Sequence, residues 1–204
     1  MFLWTGILLV AEGCLYLLYV KYGKFRHRDL ILSLHSWTGR ERVLDIGCGR
    51  GLLLAGAAKR IGELRGDGHV TGIDIWSKED LSGNSEAATM RNLDIEGVTS
   101  YCTLFSVAAQ DVHFADQSFD VVVSNLCLHN IYDRQTRRRA LLQIARVLKP
   151  HGVALLSDYK STGEYAHILK QARLSVERKW GNPIYTFPPL RIVIARKPSG
   201  PGTA

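Results

Sequence analysis

The sequence predicts an α/β fold: a seven-stranded, mostly parallel sheet with helices on both faces and an antiparallel last strand. Three observations carry this. From Arg42 to Ala172 short apolar runs alternate with longer helical stretches, the pattern of strand–helix–strand crossovers. Runs such as RVLDI and VALLSD are nearly continuous in apolar residues, as strands covered on both faces are. Two last strand-like runs, 174–180 and 190–195, follow one another without a helix, so one of them runs against the rest.

The elements follow in chain order. Met1 to Val20 reads MFLWTGILLVAEGCLYLLYV, where only Thr5, Gly6, Glu12 and Gly13 are not apolar. As a helix this stretch is about 30 Å long, which matches the hydrocarbon core of a bilayer. Glu12 at mid-span costs about 3 kcal/mol, and the ten Leu, Ile, Phe and Val residues return roughly 0.3–0.6 kcal/mol each. Insertion is thus near balance or mildly favourable. A removable leader fits less well, because no basic residue precedes the run and no A-x-A-like site follows it. We expect residues 1–25 to be a membrane anchor and 26–204 the domain, a helix packed on the domain or lining a hydrophobic substrate channel being the alternative. Lys21, Lys24, Arg26 and Arg28 place the domain on the cytoplasmic face of the membrane if the segment spans; otherwise the protein is cytoplasmic.

A helix over 26–37 leads into a strand over 42–46, a helix over 52–61 and a strand over 69–75. Asn84 or Ser85 caps the next helix, which runs to Asp94. Strands follow at 101–107 and 119–125, then a long helix over 135–148 stopped by Lys149-Pro150. A strand over 153–158 and a helix over 162–172 precede the last two strands.

The 204 residues are 46% hydrophobic and 22% charged, which excludes a disordered or collagen-like chain. The net charge is +7, of which residues 1–28 carry +3 and the remaining 176 carry +4. The excess therefore bears on membrane orientation more than on nucleic acid. Arg134, Arg137, Arg138 and Arg139 read as a solvated helix face, with no interleaved aromatics for a single-strand groove. Cys14, Cys48, Cys102 and Cys127 form no C-x-x-C pair, and the seven histidines no ligand spacing, so no metal site is expected.

Asp45-Ile46-Gly47-Cys48-Gly49-Arg50-Gly51 ends the first strand and opens a helix. Glycines there let the chain turn tightly and let a ligand approach the backbone. The spacing is G-x-G-x-G, and Leu52 stands where a dinucleotide fingerprint needs its third glycine. A nicotinamide oxidoreductase is accordingly a poor match. Asp74, closing the second strand, suits the two hydroxyls of a ribose.

VLDIGCGRG (43–51), GIDIW (72–76), AAQDVHFADQSFDVVVSN (108–125) and RVLKPHG (146–152) occur in that order. In these segments the chain resembles the class I S-adenosylmethionine-dependent methyltransferases, in the group containing the ubiquinone-biosynthesis and arsenite enzymes. The resemblance spans about 26–197 and implies a Rossmann-like sheet and S-adenosyl-L-methionine as cofactor. It implies that the loop of Gly47, Cys48, Gly49 and Gly51 lines the methionine part and that Asp45 beneath it holds the amino group. It implies that Asp74 binds the ribose, that Ile75 or Trp76 packs on the adenine, and that Asp111 accepts from the adenine amine beside Val112. Asn125 and Leu126 then sit beside the methyl donor.

Methyl transfer needs alignment and, for some acceptors, removal of a proton. His129, after the fourth strand, suits a general base, and Tyr132 and Tyr159 suit walls of the acceptor site. The expected reaction is methyl transfer to a small or lipophilic acceptor, since no inserted domain selects a larger one. Two alternatives stand beside it: a non-catalytic cofactor-binding domain acting through a partner, and an RNA methyltransferase. The latter lacks an Asn-Pro-Pro-Tyr-type motif where this chain has Ser124-Asn125-Leu126-Cys127. The oligomeric state is not legible.

Overall fold

The computed structural model describes residues 2–183 and 186–199; Met1, 184–185 and 200–204, which fall within the two expected spans, lie outside the described residues. Seven strands form one sheet: β1 Arg42–Ile46, β2 His69–Asp74, β3 Cys102–Ser106, β4 Phe119–Asn125, β5 Leu148–Asp158, β6 Ser175–Trp180 and β7 Arg191–Arg196. Their order is β3-β2-β1-β4-β5-β7-β6. β1 to β5 are parallel, and β7 pairs antiparallel with both β5 and β6. The antiparallel last strand is thus as expected, and it lies inside the sheet, between β5 and β6.

Alternate residues of each strand feed two cores. Val43, Val70, Val121, Val123 and Leu155 pack towards α2 (Lys24–Leu32) and α3 (Leu52–Glu63). Leu44, Ile73, Val122, Ala154 and Leu156 pack towards α5 (Arg134–Val147) and α6 (Thr162–Gln171). A period-2 strand with both faces apolar requires these two helical layers. α4 (Glu86–Ile95) closes the β3 end, its N-cap Ser85 accepting from the Ala88 amide at 3.2 Å.

Most element ends fall within a residue or two of expectation, and the α5–β5 junction differs in kind. α5 ends at Val147 and the chain passes directly into β5, so Lys149-Pro150 lies within the strand rather than stopping the helix. Pro150 is tolerated because the β4–β5 register shifts between Phe119 and Val121, a bulge that needs no donor there.

The N-terminal segment differs more. α1 (Phe2–Leu18), a π-helical segment (Tyr19–Gly23) and α2 run on without a break, so the helix crosses the expected 25/26 boundary and ends at Leu32 instead of Trp37. α2 is docked: Ile31 and Leu32 are in the core, and the buried His27 places Nε2 2.7 Å from Ser157 Oγ on β5. α1 is not docked: Trp4, Leu9, Val10, Leu17 and Leu18 are all exposed. By length and composition, Trp4–Leu32 suffices to cross a bilayer.

Candidate functional site

A cleft of about 550 Å³ opens at the carboxyl ends of β1, β2 and β4. Here the sheet order reverses direction between β1 and β4, the place where open α/β sheets bind ligands. Gly47, Cys48, Gly49, Asp74, Ile75, Asn125 and Leu126 all line it.

The glycine loop is fixed from beneath and from the side. Gly47 and Cys48 donate their amides to the Ile73 carbonyl at 2.8 and 3.1 Å. Thr89 Oγ1 donates to the Gly49 carbonyl at 2.5 Å, and Asn92 Nδ2 to the Arg50 carbonyl at 2.9 Å. Gly47 has φ +67°, and a β-carbon there would fall on the Cys127 sulfur. Only glycine permits this approach of the loop to the β4 turn.

Asp74 joins the loop to the end of β2. Its Oδ2 accepts from the Gly49 amide at 2.8 Å. Its Oδ1 accepts from the Trp76 amide at 2.6 Å and from Asn84 Nδ2 at 3.2 Å. A carboxylate oxygen has two lone-pair sites, so Oδ2 retains capacity for a hydroxyl from the cleft.

Asp45 lies under the loop, 1% exposed. It is held by the Leu54 amide in the first turn of α3, while its Oδ2 has no partner. Burial raises its pKa to about 8, the Leu54 bond opposing and the nearby Asp74 charge adding to the rise. Asp45 is not among the residues lining the cleft; its buried, unpartnered oxygen beneath the loop suits a cationic donor.

Past β4, Leu126 has φ +55° and turns the chain into the loop of His129 to Ile131. His129 Nδ1 lies 2.8 Å from Asp158 Oδ1, at the end of β5, in ion-pair range but without hydrogen-bond alignment. Asp158 is 1% exposed and also accepts from the Tyr165 hydroxyl at 3.1 Å and the amides of Tyr159 and His129 at 2.9 and 3.2 Å. The His129 and Tyr159 rings meet edge-on at 4.6 Å. Burial pushes the Cys48 and Cys127 thiols up, so both line the cleft as neutral groups.

Several expected residues stand elsewhere. Trp76 has φ +57° and turns its indole to Ser106 Oγ at 2.6 Å, leaving Ile75 as the hydrophobic residue on the cleft. Asp111 faces solvent with Gln110 Nε2 at 3.0 Å, and Ala108, Ala109 and Gln110 line the cleft in its place. Val112 is buried in the core, its carbonyl accepting from Arg146 Nη2 at 3.1 Å. Gly51, at φ +84°, caps α3 instead of lining the cleft. His129, Tyr132 and Tyr159 are not among the lining residues; Asn130 and Ile131 beside them are. Tyr19 and Lys24 line the cleft from the N-terminal helix, and Leu81 and Asn84 from the loop between β2 and α4; the sequence points to these segments but singles out none of the four as a site residue. The side chain of Asn125 interacts with that of Tyr19.

The arginine run is partly consumed by structure. Arg137 is buried, donating Nη2 to Glu164 at 2.7 Å and Nη1 to the Ile131 carbonyl at 2.5 Å, and Arg139 bonds Thr136 at 3.0 Å.

This strand order, the glycine loop and the carboxylate that clamps it are the arrangement of the class I methyltransferase fold. The chain belongs to the methyltransferase domain family, which matches residues 44–156. It is 33% identical over 119 residues to the ubiquinone/menaquinone biosynthesis C-methyltransferase UbiE of Vibrio vulnificus, covering 58% of this chain and 41% of that protein. It is 30% identical over 163 residues to the mRNA cap guanine-N(7) methyltransferase of Candida glabrata, covering 78% of this chain and 38% of that protein. The chain thus spans less than half the length of these two relatives. A SAM-dependent methyltransferase structure from Aquifex aeolicus superposes with TM-score 0.66 at 18% identity, over 91% of this chain and 97% of that one.

Proposed function

We propose that this protein transfers the methyl group of S-adenosyl-L-methionine to a small or lipophilic acceptor, held at the cytoplasmic face of a membrane by residues 1–20. One observation carries the reading: Asp74 and the glycine loop are tied together at the mouth of a cleft that also contains the end of β4. The cofactor supplies an electrophilic methyl on a sulfonium. The residues of the chain bind and align it: Asp45 for the amino group, Asp74 for the ribose, Ile75 and Ala109 against the base, Asn125 and Leu126 near the sulfonium. His129, ion-paired with Asp158 and adjacent to the cleft-lining Asn130, is the group on this edge suited to take a proton from an acceptor that has one to lose, and Tyr132 and Tyr159 stand beside it outside the cleft lining.

The apolar α1 supports a lipophilic acceptor, because its continuation brings Tyr19 to the cleft. Incubation with labelled donor, once with extracted membrane lipids and once with soluble metabolites, tests this. Label in the lipid fraction is expected; label in soluble products alone overturns the lipophilic part. Full release of the intact protein by alkaline carbonate would remove the anchor.

The Candida glabrata relative favours a second reading, methylation of RNA. Against it, Arg137 and Arg139 are engaged within the protein. RNA affinity that falls steeply with salt would support it.

A further inference from the structure

We propose that the carboxyl edge of the sheet is itself a bilayer-facing surface, so that the cleft opens onto anionic lipid and takes an acceptor whose methyl-accepting group lies at headgroup depth. This rests on the membrane attachment proposed above and adds an orientation to it.

The first support is the path of the N-terminal helix. Tyr19 and Lys24 line the cleft, and His27, one turn further on, is bonded to Ser157 next to the carboxyl end of β5. The helix therefore leaves the domain at the mouth of the cleft and not at the opposite edge of the sheet. A bilayer that accepts α1 must then approach this edge.

The second support is the depth set by charge. Lys21, Lys24 and Arg26 follow the apolar run within six residues, while Arg28 is turned to Asp29 at 2.9 Å. Lys21 and Lys24 lie 5.1 Å over the rings of Tyr22 and Phe25. Basic and aromatic side chains in this order mark the headgroup level, and basic groups there are attracted to an anionic surface. Lys24 belongs to both this collar and the cleft, so collar and cleft share one depth.

The third support is the rim. Leu81 in the loop after β2, Tyr132 after β4 and Tyr159 after β5 are exposed at 39%, 80% and 43%. All three lie on the carboxyl edge. The Lys160 ammonium stands 5.9 Å from the Tyr132 ring and 5.5 Å from the Tyr159 ring. Tyrosines backed by lysine favour the boundary between headgroups and acyl chains. Helix, collar and rim thus present one face.

A benzophenone photocrosslinker put in place of Glu79, in the loop beside the cleft, or in place of Arg40, ahead of β1 at the other edge, tests the orientation in the full-length protein. Both variants are floated with phosphatidylethanolamine–phosphatidylglycerol vesicles and irradiated. We expect the Glu79 probe to form lipid adducts and the Arg40 probe to form none, with adducts much reduced on phosphatidylcholine vesicles. Flotation with equal adducts at both positions, or with none at Glu79, overturns the orientation and leaves the anchor standing. Adducts at Glu79 that are undiminished on phosphatidylcholine overturn the anionic surface. Absence of flotation overturns the anchor and this proposal with it.

Discussion

Asp74 accepts the backbone amide of Gly49 at 2.8 Å across 25 residues of chain, and this bond joins the end of the second strand to the loop after the first. The same carboxylate receives the Trp76 amide and the Asn84 side chain. One buried acid thus sets the shape of the loop, the turn after β2 and the start of the 76–85 segment. A ligand bonded to it would be held by all three.

Gly47→Ala should damage both the fold and the cleft. The residue has φ +67°, and its new methyl would fall on the Cys127 sulfur. Left-handed strain and overpacking together cost about 2–4 kcal/mol. Thermal unfolding should show a clear loss, and cofactor affinity should fall with it. A neutral substitution would mean that the loop is not seated on Cys127.

With the cofactor's amino group at Asp45, as proposed, binding should be proton-linked. Its pKa is raised to about 8 by burial, so below that pH the carboxyl is protonated before a cation arrives. An ammonium ligand favours the charged form, and binding then releases a proton. Titrations at about pH 7 in buffers of different ionisation enthalpy should reveal this release, and Asp45→Asn should abolish it. The folded pKa lies above the unfolded one. The stabilisation from keeping the group neutral is therefore complete below about pH 4 and is lost as pH rises towards about 8. The Asn variant should lack that decline.

His27 acts in the opposite direction. Burial lowers its pKa to about 4, so the folded protein holds it neutral against Ser157 while the unfolded chain takes a proton below about 6.5. Stability from this group is present above about pH 6.5 and is lost on acidification towards about pH 4, up to about 3 kcal/mol. His27→Phe should flatten the acid limb of a stability-versus-pH curve. An unchanged limb would show that α2 does not depend on this contact.

His129→Gln tests the proton-acceptor role proposed for this residue. With an acceptor that must lose a proton, the turnover number should fall about 100-fold while cofactor affinity stays unchanged. Loss of cofactor affinity instead would assign His129 to packing against Tyr159 and Asp158.

The strands and the two-layer core were legible because Val43–Ile46 and Val121–Val123 are nearly continuous apolar runs, and a strand whose alternate residues feed opposite clusters must be apolar on both faces. The glycine loop and Asp74 were legible because a tight turn and a strand-end acid leave a fixed spacing. Tyr19 and Lys24 were not, because their place in the cleft depends on the course of a helix that starts far from every motif. Trp76 and Asp111 show the other limit. The motif names a short segment, but the positive φ of Trp76 and the 3-10 turn Ala109–Asp111 decide which side chain of that segment meets the cleft.

The most direct measurement is a calorimetric titration of S-adenosylhomocysteine into the wild-type protein and into Asp74→Ala. The wild type should bind, and the variant should bind at least about tenfold more weakly, a loss of about 1.4 kcal/mol or more. Equal affinity in the two proteins, or no binding to the wild type, would contradict the placement of the cofactor in this cleft.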